Sequence, residues 1–271
     1  PIVLVKKPSG AYRFCCDYRK LNAITTKDKF PLPLIKTCLL QFAGKNLYSL
    51  SDVKDAFWSL SVCTEDRDKT AFVTAEGLYR WLCLPFGLVG AANAFQRGIN
   101  SMFADMPQVT CYMDDVLVTS SGFDEHVDRL QKMFQRFRDY NMQLSPAKTH
   151  LCVDSIKYLG FMVSPQGLKA NPDKVQAIQA FKAPTDVKHI YRFLGLCVYY
   201  QSFFHNFAQT ATPLYNLLKK GVKFKWGPTE QTAFDRLKAL LTSAPVLRLP
   251  DLQKPFYIQT DASIVGLGAI L

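Results

Sequence analysis

The sequence predicts an α+β fold: a mixed portion of strands and helices, then a helical lobe, then a return to strands. Three observations predict it. Residues 1–164 mix β-branched and aromatic runs with apolar stripes of helical period, residues 165–248 carry three capped helical stripes, and strand-like runs resume after Pro250. At 271 residues, 48% apolar and 20% charged, the chain has the composition of a packed globular protein with two or three lobes, and collagenous or low-complexity classes are excluded.

Taken in order, Ile2-Val3-Leu4-Val5, the turn Lys7-Pro8-Ser9-Gly10 and Tyr12-Arg13-Phe14-Cys15 read as a β-hairpin with cations clustered toward its tip. Residues 47–53 read as a strand with an acid, Asp52, near its end. Asn93 is expected to cap a helix whose apolar face is Phe95, Ile99, Met102 and Phe103. Residues 109–112 and 116–119 are strand-like and flank Met113-Asp114-Asp115, which predicts a tight hairpin with paired acids at its bend. Asp124 is expected to cap a helix bearing Val127, Leu130, Phe134 and Phe137, before a break at Ser145-Pro146. Asn171-Pro172 supplies a capping side chain and a first-turn proline for a helix with Val175, Ile178 and Phe181. Thr185 is expected to cap another, carrying Ile190, Phe193, Leu194 and Val198, and Pro228-Thr229 opens a third with Phe234, Leu237 and Leu241. Residues 256–261 and 266–271 read as the first hairpin of a new domain.

The net charge of +11 is unevenly laid out. Residues 1–45 hold nine Lys/Arg against two Asp, residues 46–163 eleven against fourteen acids, and residues 164–271 thirteen against six. Basic flanks attract a polyanion, and a carboxylate-rich middle holds divalent metal against it. The bland alternative is that lysines such as Lys219, Lys220, Lys223 and Lys225 only solubilise the surface. The eight cysteines include no C-x-x-C pair, so buried reduced thiols are expected and structural zinc is not. Apolar runs are far shorter than the roughly 20 residues needed to cross a bilayer, and an intracellular protein is expected. The chain starts at Pro1 and stops at Leu271 inside an apolar run, which reads as a segment of something longer.

Adjacent aspartates between apolar strands repel each other, and a divalent cation removes that cost. For an isolated Asp-Asp the usual explanation is a solvated turn. Here the pair is bounded by Tyr112-Met113 and Val116-Leu117, and Asp52 ends another apolar strand 62 positions before Asp114. Three carboxylates on neighbouring strand ends suit two Mg²⁺ ions arranged for in-line displacement at phosphorus.

Tyr112-Met113-Asp114-Asp115, preceded by residues 50–58 (Leu-Ser-Asp-Val-Lys-Asp-Ala-Phe-Trp) and 84–88 (Leu-Pro-Phe-Gly-Leu), resembles the reverse transcriptase of gypsy-type LTR retrotransposons and their retroviral relatives. Matches at residues 14–22, 69–72, 94–97, 158–161, 193–195 and 260–263 extend the resemblance over nearly the whole chain. It implies a right-hand polymerase with an antiparallel palm sheet and a helical thumb, followed by the first strands of an RNase H-like α/β domain. Fingers would comprise residues 1–30 and 60–90, palm 31–59 and 91–164, thumb 165–248, and the truncated RNase H start 249–271. Asp52, Asp114 and Asp115, with the carbonyl of Val53, would hold two Mg²⁺ or Mn²⁺ ions. Lys7, Arg13, Asp55, Ala56, Phe57 and Phe86 would bind the nucleotide, Lys7 and Arg13 at its triphosphate and Phe57 as a steric gate against a 2′-hydroxyl. Tyr158, Leu159, Gly160 and Phe161 would grip the primer. Tyr112, Met113, Gln96 and Arg97 would touch the template-primer, and Asp261 would be the first RNase H metal ligand.

The implied function is RNA-directed DNA polymerisation from dNTPs on a primed RNA or DNA template. Protease, integrase and complete RNase H domains would lie elsewhere in a parent Pol polyprotein, and no membrane partner is implied. The expected location is cytoplasmic, in a virus-like particle, with the nucleus as a second site. Two other readings stand beside it: a catalytically inactive or co-opted nucleic-acid-binding relic, and an RNA-directed RNA polymerase, against which the bulk of Phe57 argues.

Overall fold

The structure, a computed structural model, describes residues 1–271 except 8–9, 205, 243–245, 251–253, 264–265 and 271, with backbone alone for 261–263 and 266–270. It divides into two compact units, residues 1–41 with 45–154, and residues 42–44 with 155–271.

The first unit opens with the expected hairpin, β1 (Ile2–Lys6) against β2 (Tyr12–Cys16), in which Leu4 faces Phe14. Two short helices, α1 (Arg19–Ile24) and α2 (Ile35–Leu40), lead to β3 (Leu47–Asp52). A small hairpin of β4 (Phe72–Thr74) and β5 (Gly77–Tyr79) precedes α3 (Ala91–Met102). Then come β6 (Val109–Tyr112), β7 (Asp115–Ser120), α4 (Phe123–Asp139) and β8 (His150–Val153). The central sheet is antiparallel in the order β6-β7-β3-β8. Val116, Leu117 and Val118 are all fully buried, so both faces of β7 are covered, and its apolar run is continuous rather than alternating. One cover is the cluster in which Phe95, Ile99 and Met102 of α3 and Met133 and Phe137 of α4 join Val116 and Val118.

Two expected caps are displaced. Gly90, in the left-handed region at φ +83°, starts α3 before Asn93, and the Asn93 amide instead donates to the Phe30 carbonyl at 2.6 Å. Asp124 lies in the first turn of α4, after Gly122, where its charge suits the helix dipole. The buried stripe of α4 is His126, Leu130, Met133 and Phe137; Phe134 packs half-buried against the same core, and Val127 is half-buried. His126 is enclosed, with Nε2 2.7 Å from the Ser49 hydroxyl and Nδ1 2.8 Å from that of Ser120. Ser49 also accepts from the Cys152 N–H, which ties β3, β7, α4 and β8 together.

In the second unit β9 (Ile156–Tyr158), β10 (Phe161–Ser164) and β11 (Gly167–Ala170) form an antiparallel meander. The helices α5 (Pro172–Gln179), α6 (Val187–Tyr199), α7 (Phe207–Asn216) and α8 (Pro228–Thr242) follow. Asn171 caps α5 as expected, accepting from the Asp173 N–H. Asp186, not Thr185, caps α6: its carboxylate accepts the His189 N–H at 2.8 Å, and the Thr185 hydroxyl turns to the His189 ring. The lobe closes around Phe193, whose ring centre lies 5.5 Å from that of Phe181 and 4.5 Å from that of Phe234. Cys197 takes the buried place expected of Val198, which is 38% exposed. Beyond α8, Leu247 pairs with the outer edge of β11, exchanging both backbone hydrogen bonds with Leu168. The final hairpin is β12 (Gln259–Ser263) against β13 (Gly266–Ile270). All eight cysteines are free, with Cys63 exposed, and no helix among the described residues is long and apolar enough to cross a membrane.

Candidate active site

Strand register brings the predicted carboxylates together. Asp52 ends β3, Asp115 begins β7, and the two are direct partners across the ladder. Tyr112 pairs with Asp115, so Met113 and Asp114 form a two-residue turn, with Met113 in the left-handed region at φ +56°. A non-glycine residue holds that conformation only where its surroundings enforce it. Gln96 of α3 does so: its Oε1 accepts the Met113 N–H at 2.7 Å, while its Nε2 donates to the Cys111 carbonyl at 2.9 Å and to Asn100 at 2.8 Å. The Asp114 carbonyl accepts the Val53 N–H at 2.7 Å, linking the turn to the end of β3.

Gln96 therefore corrects the expectation of a template-primer contact. It is 0% exposed, and its amide is spent on the hairpin that carries the acids. Arg97, on the exposed side of α3, is ion-paired with Asp28 and lies 5.8 Å over the Phe30 ring.

Burial, reinforced by the neighbouring charges of Asp114 and Asp52, pushes the Asp115 carboxyl up to about 6, against the pull of Lys148. The Lys148 ammonium donates to both Asp52 oxygens, at 2.9 and 3.1 Å, and that bond raises its own pKa. Among the described residues no three acidic, thiol or imidazole side chains are gathered to ligand spacing, and it is Lys148 that lends Asp52 positive charge. The donor set is all oxygen, and Asp115 is buried beside two like charges, which fits a hard divalent cation.

Asp52 and Asp114 border a cleft of about 270 Å³ in the first unit that also contains Lys7, Arg13, Phe57 and Phe86, and Asp115 lies beside it as the ladder partner of Asp52. The Arg13 guanidinium lies 4.8 Å over the Phe86 ring, and Phe86 meets Phe57 edge-on at 5.4 Å. Phe57 belongs to a short 3₁₀ turn, Ala56–Ser59, entered through Asp55 at φ +52°, and its other side packs on Phe95. Gly87 follows Phe86 at φ +100°, and a Cβ there would meet the Cys16 carbonyl oxygen at 2.8 Å. Asn22 clamps this loop, donating to the Gly87 carbonyl and accepting the Val89 N–H, each at 2.8 Å.

Within the second unit, Tyr158 faces Phe161 across a second two-residue turn, Leu159 at φ +43° and Gly160 at φ +76°. The Tyr199 hydroxyl donates to the Leu159 carbonyl and that of Tyr200 to the Gly160 carbonyl, both at 2.6 Å. The Asp261 backbone lies in β12, opposite Gly268, and its side chain is outside the described residues.

The family model for "Reverse transcriptase (RNA-dependent DNA polymerase)" matches residues 5–163. The chain belongs to this family. A second model, "RNase H-like domain found in reverse transcriptase", matches residues 226–271. Among curated relatives, the retrovirus-related Pol polyprotein from transposon 297 of Drosophila melanogaster is 39% identical over 276 residues, covering 99% of this chain and 26% of its own length. The Pol polyprotein from transposon gypsy of the same organism is 35% identical, covering 99% and 28%, and the Tf2-3 polyprotein of Schizosaccharomyces pombe is 33% identical, covering 100% and 20%. The chain thus spans about a quarter of the Drosophila polyproteins. A foamy viral protease-reverse transcriptase in complex with dsDNA superposes with a TM-score of 0.89 at 24% identity, over 97% of this chain and 56% of that one. The same viral protein with an RNA/DNA hybrid gives 0.84 at 24% identity, over 97% and 36%. The shared fold is the right-hand polymerase, continued by the start of an RNase H-like domain.

Two contributors to this site escape the sequence. Lys148 lies 96 residues from the Asp52 it contacts, and one lysine in a Ser-Pro-Ala-Lys turn carries no local mark. Asn22 falls in a recognised stretch, yet its loop-clamping role depends on Gly87, 65 residues away.

Proposed function

We propose that this chain is the polymerase segment of a retrotransposon Pol polyprotein and catalyses RNA-directed DNA synthesis from dNTPs. The reading is carried by Asp52 and Asp114 at a cleft that also holds Lys7, Arg13 and Phe57, with Asp115 paired to Asp52 across the ladder. Asp52, Asp114, Asp115 and the Val53 carbonyl would hold two Mg²⁺ or Mn²⁺ ions. When bound, these supply Lewis-acid activation of the primer 3′-hydroxyl and neutralise charge on the triphosphate.

Lys7 and Arg13 bind the β- and γ-phosphates, and Arg13 offers its planar guanidinium to two oxygens at once. The primer 3′-oxygen forms a bond to the α-phosphorus as the bond to pyrophosphate breaks. Asp55 and Ala56 form the edge of the nucleotide pocket, and Phe57, whose ring packs against Phe95 and Phe86, acts as the gate against a ribose 2′-hydroxyl. Tyr112 and Met113, both half-exposed, face the template-primer, and residues 158–161 grip the primer. On this reading residues 1–30 and 60–90 are fingers, 31–59 and 91–164 palm, and 165–248 thumb. Asp261 would be one metal ligand of the RNase H-like domain.

Extension of oligo(dT) on poly(rA) with dTTP and Mg²⁺ tests the assignment. Asp114→Asn should abolish incorporation, and equal incorporation by both proteins would overturn the reading.

A further inference from the structure

Leu159-Gly160 is a strained turn. Both residues are left-handed, which is the pattern of a type I′ hairpin, and that turn favours Asn or Asp at the first central position rather than a branched leucine. Such strain persists only where neighbouring groups over-determine it. Here the neighbours are two consecutive tyrosines at the C-terminal end of α6, each donating its hydroxyl to one of the two turn carbonyls. The Asn171 N–H adds a longer bond, 3.2 Å, to the Gly160 carbonyl. Phe161, next in the chain, stacks on Tyr199 at 5.4 Å and meets Tyr200 edge-on at 5.5 Å, so the same pair grips the turn by hydroxyl and by ring.

The two tyrosines are placed differently. Tyr200 is buried, 2% exposed, whereas Tyr199 is 40% exposed and reaches the turn from the solvent side. A Cβ on Gly160 would lie 3.1 Å from the Tyr199 ring, so the glycine admits the phenol as well as the backbone angle. A turn that needed only to connect two strands would carry a residue suited to its angles. This one keeps leucine and is braced from outside.

We infer that Tyr199 and Tyr200 are positioning residues of the polymerase reaction, fixing the Leu159-Gly160 turn so that it presents its backbone to the primer terminus in one geometry. This rests on the assignment of residues 158–161 to primer binding. The pair acts through the turn, and neither hydroxyl is assigned contact with the reacting atoms.

Tyr199→Phe, Tyr200→Phe and the double variant in the full chain remove only the hydroxyls. Amide exchange across residues 156–164 should accelerate in the double variant while α3 and β7 stay as protected as before. In primer extension, kcat should fall about ten-fold in the double variant with KM for dTTP unchanged, the signature of a misplaced primer end rather than a damaged nucleotide site. Leu159→Asn, which relieves the strain without the phenols, should restore most of the lost kcat. Unchanged exchange overturns the brace whether or not the chain polymerises. Faster exchange with undiminished kcat, in a wild-type protein that extends primers, overturns its role in the reaction. A wild-type chain with no extension at all would instead count against the polymerase assignment.

Discussion

The turn at Met113-Asp114 and the turn at Leu159-Gly160 have the same frame: a tyrosine and its strand partner enclosing two residues, the first a bulky side chain at positive φ. The side chains that hold them differ. The first is secured at its N–H, from within, by the buried amide of Gln96. The second is secured at its carbonyls by phenols, one of them substantially exposed. The first turn must hold two carboxylates against mutual repulsion, so its support lies inside the core, where it cannot be displaced by water. The second presents backbone, so its support can stand at the surface.

The largest test of that contrast is Gln96→Leu, which leaves the Met113 N–H and the Cys111 carbonyl without their partner. It should destabilise the first unit by about 3 kcal/mol and cut extension roughly 100-fold, read by thermal melting and primer extension. If activity survived intact, the inside support would be dispensable and the contrast would fail. Next is Gly160→Ala: with φ at +76° and the Tyr199 ring close by, a methyl should lower stability by about 1–2 kcal/mol on a denaturant titration. Leu159→Asn should act in the other direction, raising stability by about 0.5–1 kcal/mol, because asparagine tolerates the left-handed region that leucine resists.

The smallest expected difference is in pH response. Burial, aided by the Arg129 charge and opposed by Glu125, holds the His126 pKa below its ordinary 6.5. Ser49 and Ser120 face it from β3 and β7. Above 6.5 both folded and unfolded states are neutral and the full stability is present. As pH falls, the unfolded chain takes up a proton first, so stability drains until the folded imidazole also titrates. Burial, then the neighbouring Tyr199, pushes the Tyr200 phenol up to about 12, so this phenol does not change over this range. Amide exchange at pH 7.5 and 5.5 should therefore quicken in β3, β7 and α4 and leave residues 156–164 constant after correction for the intrinsic rate.

Much of this was legible from residue order. The palm acids stood out because Asp-Asp between apolar runs is costly without a cation, and Asn171-Pro172 announced its helix because cap and first-turn proline act locally. What escaped depends on partners distant in sequence. Gln96 reads as a polar residue on a helix and proves to be buried, since only the hairpin opposite supplies the bonds that make burial tolerable. Asn93 and Thr185 are good capping residues that lost the role to neighbours one to three positions earlier or later, Gly90 by its left-handed backbone and Asp186 by its charged acceptor. The helix α7 was missed because Pro213 lies inside it and interrupts the pattern that announces helices.

The pairing of Leu247 with Leu168 bears on where this protein tolerates being cut. It occupies the open side of β11, and Gly167 at φ +131° lets the passing backbone come so close that any Cβ there would strike the Leu247 carbonyl. A chain shortened directly after α8 would bare that strand edge to self-association. Ending instead after Arg248 keeps the edge capped, so six additional residues separate a sticky fragment from a well-behaved one.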